Sequence, residues 1–386
     1  EASRHSCPSK QRSGARLSHW RFLVCRRVHA PYARVMLSLL QQRGAEAGLE
    51  IEEVLARGDF GQVLRAYDRN AAQHVALKEV TDREHPEEGI AMMTIRQVAF
   101  LKERVHPNVI RLFDVVTLNG ALYLKLQLLD MNLRTYLRTH GRIEGVARLM
   151  DGVLDCARGL EHCHRHLLLH RNLMSGNVLL DVSAFRFVLS GFSLARSFTF
   201  PLQQYTHEVV SLWNRPPEIL MGQATYGPSV DIWSLGCVIA EMATGRPLFP
   251  GDSEIDTLFK IFQLLGTPND EVWPGVSQLQ DFKRYCPQWR DTGLLGVRAD
   301  GPGLGDHGLE LLRTCLRLNP IDRPSARRLL DHAGVVAVRA AAPAAPRASD
   351  AVDAADGAAV AIAEASSAAH EPTGESTGRY FLRGDA

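Results

Sequence analysis

The sequence predicts an α+β protein of two unequal lobes, a small strand-rich one followed by a larger helical one. Three observations predict it. Short apolar runs separated by glycine- or asparagine-containing turns crowd the region before residue 129. Longer stretches with apolar residues at helical spacing follow. From Gly334 onward the composition turns to Ala, Gly, Ser, Pro and Asp without apolar periodicity, the signature of a disordered tail.

Taken in order, residues 51–55, 63–68 and 74–79 read as three strands. Residues 88–104 carry a helical pattern with Ile90, Thr94, Ile95, Val98 and Leu101 on one face. Residues 109–116 and 122–128 read as two further apolar strands, and beyond Leu133 the pattern is helical. Helices are expected over 146–164, 230–244, 254–265 and 308–318. The folded unit therefore spans 49–333, with lobes at 49–129 and 130–333. It is flanked by a basic, disordered extension over 1–48 and the tail over 334–386.

Composition narrows the function classes. With 386 residues and 45% hydrophobic content the chain buries a large core. Forty-four Lys plus Arg against 43 Asp plus Glu leave no global field to draw it toward nucleic acid or an anionic membrane. Seven scattered cysteines without a C-x-x-C pair point to a reducing compartment, cytoplasmic or nuclear, rather than to zinc or disulfides. The run His162-Cys163-His164-Arg165-His166 looks like a metal cluster but falls at a helix end, and we expect no zinc there. No apolar run approaches the roughly 20 residues that span a bilayer. The first residues carry Arg4, Lys10, Arg12, Arg16, Arg21, Arg26, Arg27 and Arg34 against Glu1, so organelle targeting is an alternative address.

A glycine-bearing hairpin ahead of a strand with an inward lysine can fold over phosphates, because glycine lets backbone amides approach and lysine supplies a point charge. Here it reads Ala56-Arg57-Gly58-Asp59-Phe60-Gly61-Gln62-Val63, then Val75-Ala76-Leu77-Lys78. Alone it reads better as an ordinary hairpin with one exposed lysine. Further motifs follow it: Thr94-Ile95-Arg96-Gln97, His106-Pro107-Asn108-Val109, and His170-Arg171-Asn172-Leu173 with Asn177 beyond. Then come Phe192 with Leu194-Ala195-Arg196, Tyr205-Thr206-His207-Glu208-Val209-Val210, Pro217-Glu218, Asp231-Ile232-Trp233-Ser234-Leu235-Gly236, and Phe249-Pro250-Gly251-Asp252-Ser253-Glu254-Ile255-Asp256. In this order, from Leu49 to His332, the series resembles the cyclin-dependent kinases.

That resemblance implies the bilobal protein-kinase fold, with a Glu218–Arg323 ion pair and Asp231 holding the catalytic loop. It also implies a nucleotide site made of Gly58, Gly61, Val63, Ala76, Lys78, Gln97, Leu126, Leu129, Asn177 and Leu179. Phosphoryl transfer in such a fold is positioning plus charge neutralisation: a lysine held by a helix glutamate, an aspartate at the substrate hydroxyl, and metals held by an aspartate and an asparagine. This sequence departs from the pattern at each of these parts. The helix partner of Lys78 is Gln97, which supplies no negative charge. The catalytic-base position is Asn172, which takes up no proton at neutral pH, and the cation expected two residues later is Met174. The metal-holding aspartate falls at Gly191, leaving Asn177 as the metal ligand that can be recognised. Mg2+ prefers a carboxylate, so we expect weak ATP binding without a tightly held metal.

Regulation has changed in parallel. Asp59, Phe60 and Gln204 stand where the resemblance expects phosphosites, yet the arginines that would receive a phosphate, Arg96, Arg171 and Arg196, remain. Ile95 and Arg96 match the cyclin-gripping helix, the 251–268 segment matches an insert that takes a small adaptor, and Val209 and Val210 match the pocket for a proline after the target residue. The expectation is a pseudokinase acting as a regulatory, protein-binding module for a cyclin-like or kinase-regulatory partner. The alternative is a Ser/Thr kinase of residual, rewired activity on Ser/Thr-Pro sites, using Lys78 and Asn177 with a displaced acid such as Asp181.

Overall fold

The computed structural model describes residues 48–58, 61–80, 92–199, 202, 211–282, 286–301 and 304–336. The small lobe is an antiparallel sheet of β1 (Leu49–Gly58), β2 (Gly61–Asp68), β3 (Gln73–Val80), β4 (Leu112–Leu118) and β5 (Ala121–Gln127), in the order β1-β2-β3-β5-β4. Period-two alternation gives the sheet two faces. Leu64 and Ala66 of β2, Val75 and Leu77 of β3 and Tyr123 of β5 share one face and close a small core with Leu49, Ile51 and Leu118. On the other face Val63 pairs with Lys78, Lys78 with Leu124, and Ala76 with Leu126, so this set faces the large lobe.

The one small-lobe helix among the described residues, α1 (Met92–Glu103), packs through Gln97 and Leu101. Of the predicted face, Leu101 is buried and Val98 half-buried, while Ile95 is 50% exposed beside the exposed Met92 and Met93. Residues 88–91 of that expected helix lie outside the described residues. The predicted strand at 109–116 begins only at Leu112, because Val109 is taken by a single parallel bridge to Leu189 of the large lobe.

The large lobe follows with β6 (Met131–Asn132), α2 (Leu133–His140), α3 (Val146–Arg165), β7 (Leu168–Leu169), β8 (Val178–Asp181), β9 (Arg186–Leu189) and β10 (Arg196–Ser197). Next come α4 (Pro217–Leu220), α5 (Ser229–Thr244), α6 (Glu254–Leu265), α7 (Leu295–Asp300), α8 (Gly305–Cys315) and α9 (Ala326–Leu330). Sequence periodicity located α3, α5 and α6 to within a residue. It set α8 three residues late, because its first turn, Gly305-Asp306-His307, carries no apolar signal.

Two buried helices set the frame. α5 is buried from Val230 to Ala243, and the polar groups it takes inside are bonded: Ser234 Oγ donates to Asn214 O and Val230 O, and Glu241 accepts from Ser175 Oγ at 2.7 Å. α3 lies against β9 at Gly159, where an added Cβ would come within 2.7 Å of Asn108 O and 2.8 Å of Leu189 Cδ1. Asp155 of α3 accepts the Phe187 N–H at 2.9 Å, and Asn108 Nδ2 donates to Phe187 O at 2.8 Å. β9 is thereby clamped from two sides, which fixes the position of the Ser190-Gly191 segment that leaves it.

Candidate active site

The cleft between the lobes has an apolar roof and floor. Val63, Ala76 and Leu126 from the sheet and Leu179 from β8 belong to one packed cluster. Gly58 and Gly61 close the β1–β2 ladder opposite one another. Leu129, one of the residues joining the lobes, lies outside the strands, and no backbone hydrogen bond to another described residue takes its N–H or C=O. This set is able to receive a flat heterocycle with two edge hydrogen bonds.

Lys78 enters the same face from β3. Burial pulls its ammonium pKa below the ordinary lysine value. Gln97 is brought to the buried side of α1, but no hydrogen bond or ion pair of Lys78 forms among the described residues. The lysine therefore faces the cleft as a cation without a countercharge from those residues.

Opposite it, the loop between β7 and Asn177 is pinned by Asp231 in the first turn of α5. Asp231 Oδ2 accepts from His164 Nε2 at 2.8 Å and from the His170 N–H at 2.9 Å, and Oδ1 accepts from the Arg171 N–H at 2.8 Å. Burial alone would push this carboxyl up; the His164 bond and the backbone donors outweigh it and hold the pKa below the ordinary aspartate value. Arg171 is buried in the left-handed region, φ 60°, with its guanidinium 5.8 Å from the Tyr226 ring centre. Asp231 is thus a fold staple, as the sequence suggested.

The His170 ring bridges two segments. Its Nε2 donates to Ser190 O at 2.9 Å, which leaves Nδ1 to accept the Asn172 N–H at 3.2 Å, and burial keeps the ring neutral by lowering its pKa. Asn177 is held at both ends. Its N–H donates to Met174 O, its carbonyl accepts from the Ser190 N–H and hydroxyl at 2.8 and 2.9 Å, and its Nδ2 donates to Asn172 O at 2.7 Å.

Gly191 follows in the left-handed region at φ 82°, ψ 36°. A Cβ there would meet Asn177 Cγ at 2.4 Å and both amide atoms at 2.6 Å. The Asn177 amide fills the place where a side chain at 191 would begin. Phe192 next to it is fully buried, 4.7 Å from the His170 ring.

Mg2+ does not fit this donor set. Among the described residues, Asn172, Asn177 and Gln97 offer neutral side-chain amides, Gly191 offers no side chain, and no carboxylate stands at these positions. Asp181 does not make up the loss. It accepts from Ser183 Oγ, the Ala184 N–H and Arg186 in the β8–β9 turn, four residues along from Asn177.

Two groups here carried no sequence signal. Ser175 ties the loop to Glu241, whose pKa burial raises, and Ser190 fastens Asn177. Both are single serines whose partners are distant in the chain. In the histidine run His164 bonds Asp231, while His162 stacks 4.7 Å from His106 and lies tilted 4.5 Å from His166, and burial together with those rings drives its pKa down to about 3.

Among the regulatory positions, Ile95 and Arg96 lie exposed on α1, and Arg196 is half-buried in β10, paired with Leu169 of β7. Gln204, Val209, Val210, Asp59 and Phe60 lie outside the described residues. The buried Arg323 donates to both Glu218 oxygens, at 2.6 and 2.7 Å.

Residues 49–334 match the family described as Protein kinase domain. The chain is also 41% identical over 306 residues, 77% of its own length and 97% of the relative's, to Cell division control protein 2 homolog 3 of Trypanosoma brucei brucei. The chain belongs to the cyclin-dependent kinase family. As a protein kinase domain it has the family's two lobes and cleft, so the family's ligands, ATP and Mg2+, are the ones to test against Lys78, Asn172, Asn177 and Gly191. The kinase frame is held at Asp231, Glu218, Arg323 and Phe192, and the positions that the resemblance assigns to acids carry Gln97, Asn172 and Gly191.

Proposed function

We propose that this cyclin-dependent-kinase-type domain is a pseudokinase, a regulatory binding module that does not turn ATP over. The observation that carries the proposal is Gly191: no carboxylate stands at the metal position, and the Asn177 amide occupies its place. Asn172 adds to it, since loss of a proton-transfer group costs roughly a hundredfold to ten-thousandfold in rate. Effects within one catalytic unit do not sum, but here they share a direction.

The partner surfaces support a binding role. Met92, Met93 and Ile95 expose an adaptable apolar strip on α1, and Ile255 stands 61% exposed on α6 within the 251–268 segment. A cyclin-like protein at α1 and a small adaptor at α6 are the partners proposed. The deciding assay is γ-phosphate transfer from ATP and Mg2+ to a Ser-Pro peptide by the chain with a co-expressed cyclin, beside Lys78→Ala. No transfer above the Lys78→Ala control, with cyclin retained on the tagged chain, is the expected result. Transfer that the control abolishes establishes instead the rewired Ser/Thr-Pro kinase.

A further inference from the structure

We infer that the cleft takes a nucleoside polyphosphate free of metal, and that Mg2+ competes with this binding. The inference rests on the pseudokinase reading and adds the ligand's chemical form. In the phosphoryl-transfer template two kinds of charge meet the phosphates: a lysine, and carboxylates that hold Mg2+. Carboxylates facing bare phosphates repel them, so in that arrangement the metal is what makes the pair compatible.

Here the balance is reversed. Lys78 faces the cleft with no countercharge from the described residues, while Gln97, Asn172 and Gly191 stand at the carboxylate positions. Asp181 is engaged in its own turn, and the glycine-loop acid Asp59 lies outside the described residues. Among the described residues an unshielded phosphate therefore meets the Lys78 ammonium and neutral side chains. Mg2+ bound to the same phosphates screens them from Lys78, and it gains no carboxylate ligand in exchange for lost water. The apolar surfaces of Val63, Ala76, Leu126 and Leu179 remain for the base, so the nucleoside half of the ligand is unchanged.

The test is calorimetric titration of the full chain with ATP in EDTA, ATP in excess Mg2+, and adenosine, with γ-phosphate transfer measured on the same sample. ATP in EDTA is expected to bind about tenfold or more tighter than adenosine, the worth of one charge-assisted contact. Excess Mg2+ should weaken it. Lys78→Ala should bring ATP to the adenosine level, and the isosteric Asn172→Asp should weaken metal-free ATP and narrow the gap between the two metal conditions. Thermal melts confirm that both variants fold. Equal binding of ATP and adenosine, no binding, or ATP binding that requires Mg2+ overturns the inference. If transfer is absent in that last case, the pseudokinase reading stands; if Mg2+-dependent transfer occurs, both fall.

Discussion

Arg323 gathers five acceptors at the base of the large lobe. Besides both Glu218 oxygens it reaches the carbonyls of Arg317, Leu318 and Ser229, and its guanidinium lies 4.9 Å from the Trp233 ring centre. Arg323→Met leaves Glu218 charged and buried without its partner, and urea unfolding should show a loss of about 3–5 kcal/mol. The pair was legible in the sequence through the family resemblance. The seat of the Asn177 amide was not. A side chain's rotamer depends on the space left by a neighbour, and Gly191 announces only that a side chain is missing, not what moves in. Ser190 and Ser175 escaped notice for a related reason: a lone hydroxyl is satisfied by whatever the fold brings to it.

Helices with a long apolar face were the most legible elements. The sequence pattern located α3, α5 and α6 because burial over 12 or more residues repeats the signal. On α1 the pattern failed at Ile95, which lies 50% exposed, since periodicity marks an apolar face without saying what covers it. Val109 was misassigned to a strand because one bridge to the other lobe buries it as well as a ladder would. At this scale the contact of α3 with β9 is the sensitive one. Gly159→Ala drives a methyl against the Asn108 carbonyl, and overpacking of this kind costs about 1–3 kcal/mol in denaturant unfolding. The contrasting change is Gly296→Ala in α7, where nothing lies within 4 Å. It should gain up to about 1 kcal/mol, because alanine is the better helix former.

For the molecule as a whole, the buried histidines His162 and His170 both contribute to the acid limb of stability. His162 has its pKa lowered from 6.5 to about 3, so below pH 6.5 the unfolded chain binds a proton that the folded chain refuses. Stability then falls as pH falls from 6.5 toward 3, by at most about 1.4 kcal/mol per pH unit for this group. Asp231, whose pKa is lowered from 3.8, adds its loss only below about 3.8, so the upper part of the His162 window lies clear of it. His162→Phe keeps an aromatic ring against Phe100, His106 and His166 and removes the titration. Unfolding at about pH 7 and about pH 5 should show the wild-type difference shrink in the variant. The two-lobe plan was read correctly because it rests on many weak signals that agree; the relation of Asn177 to Gly191 hangs on one contact. That contact also carries a consequence for repair. An aspartate placed at 191 alone arrives where the Asn177 amide already sits, so the change is accommodated only together with a shift of Asn177.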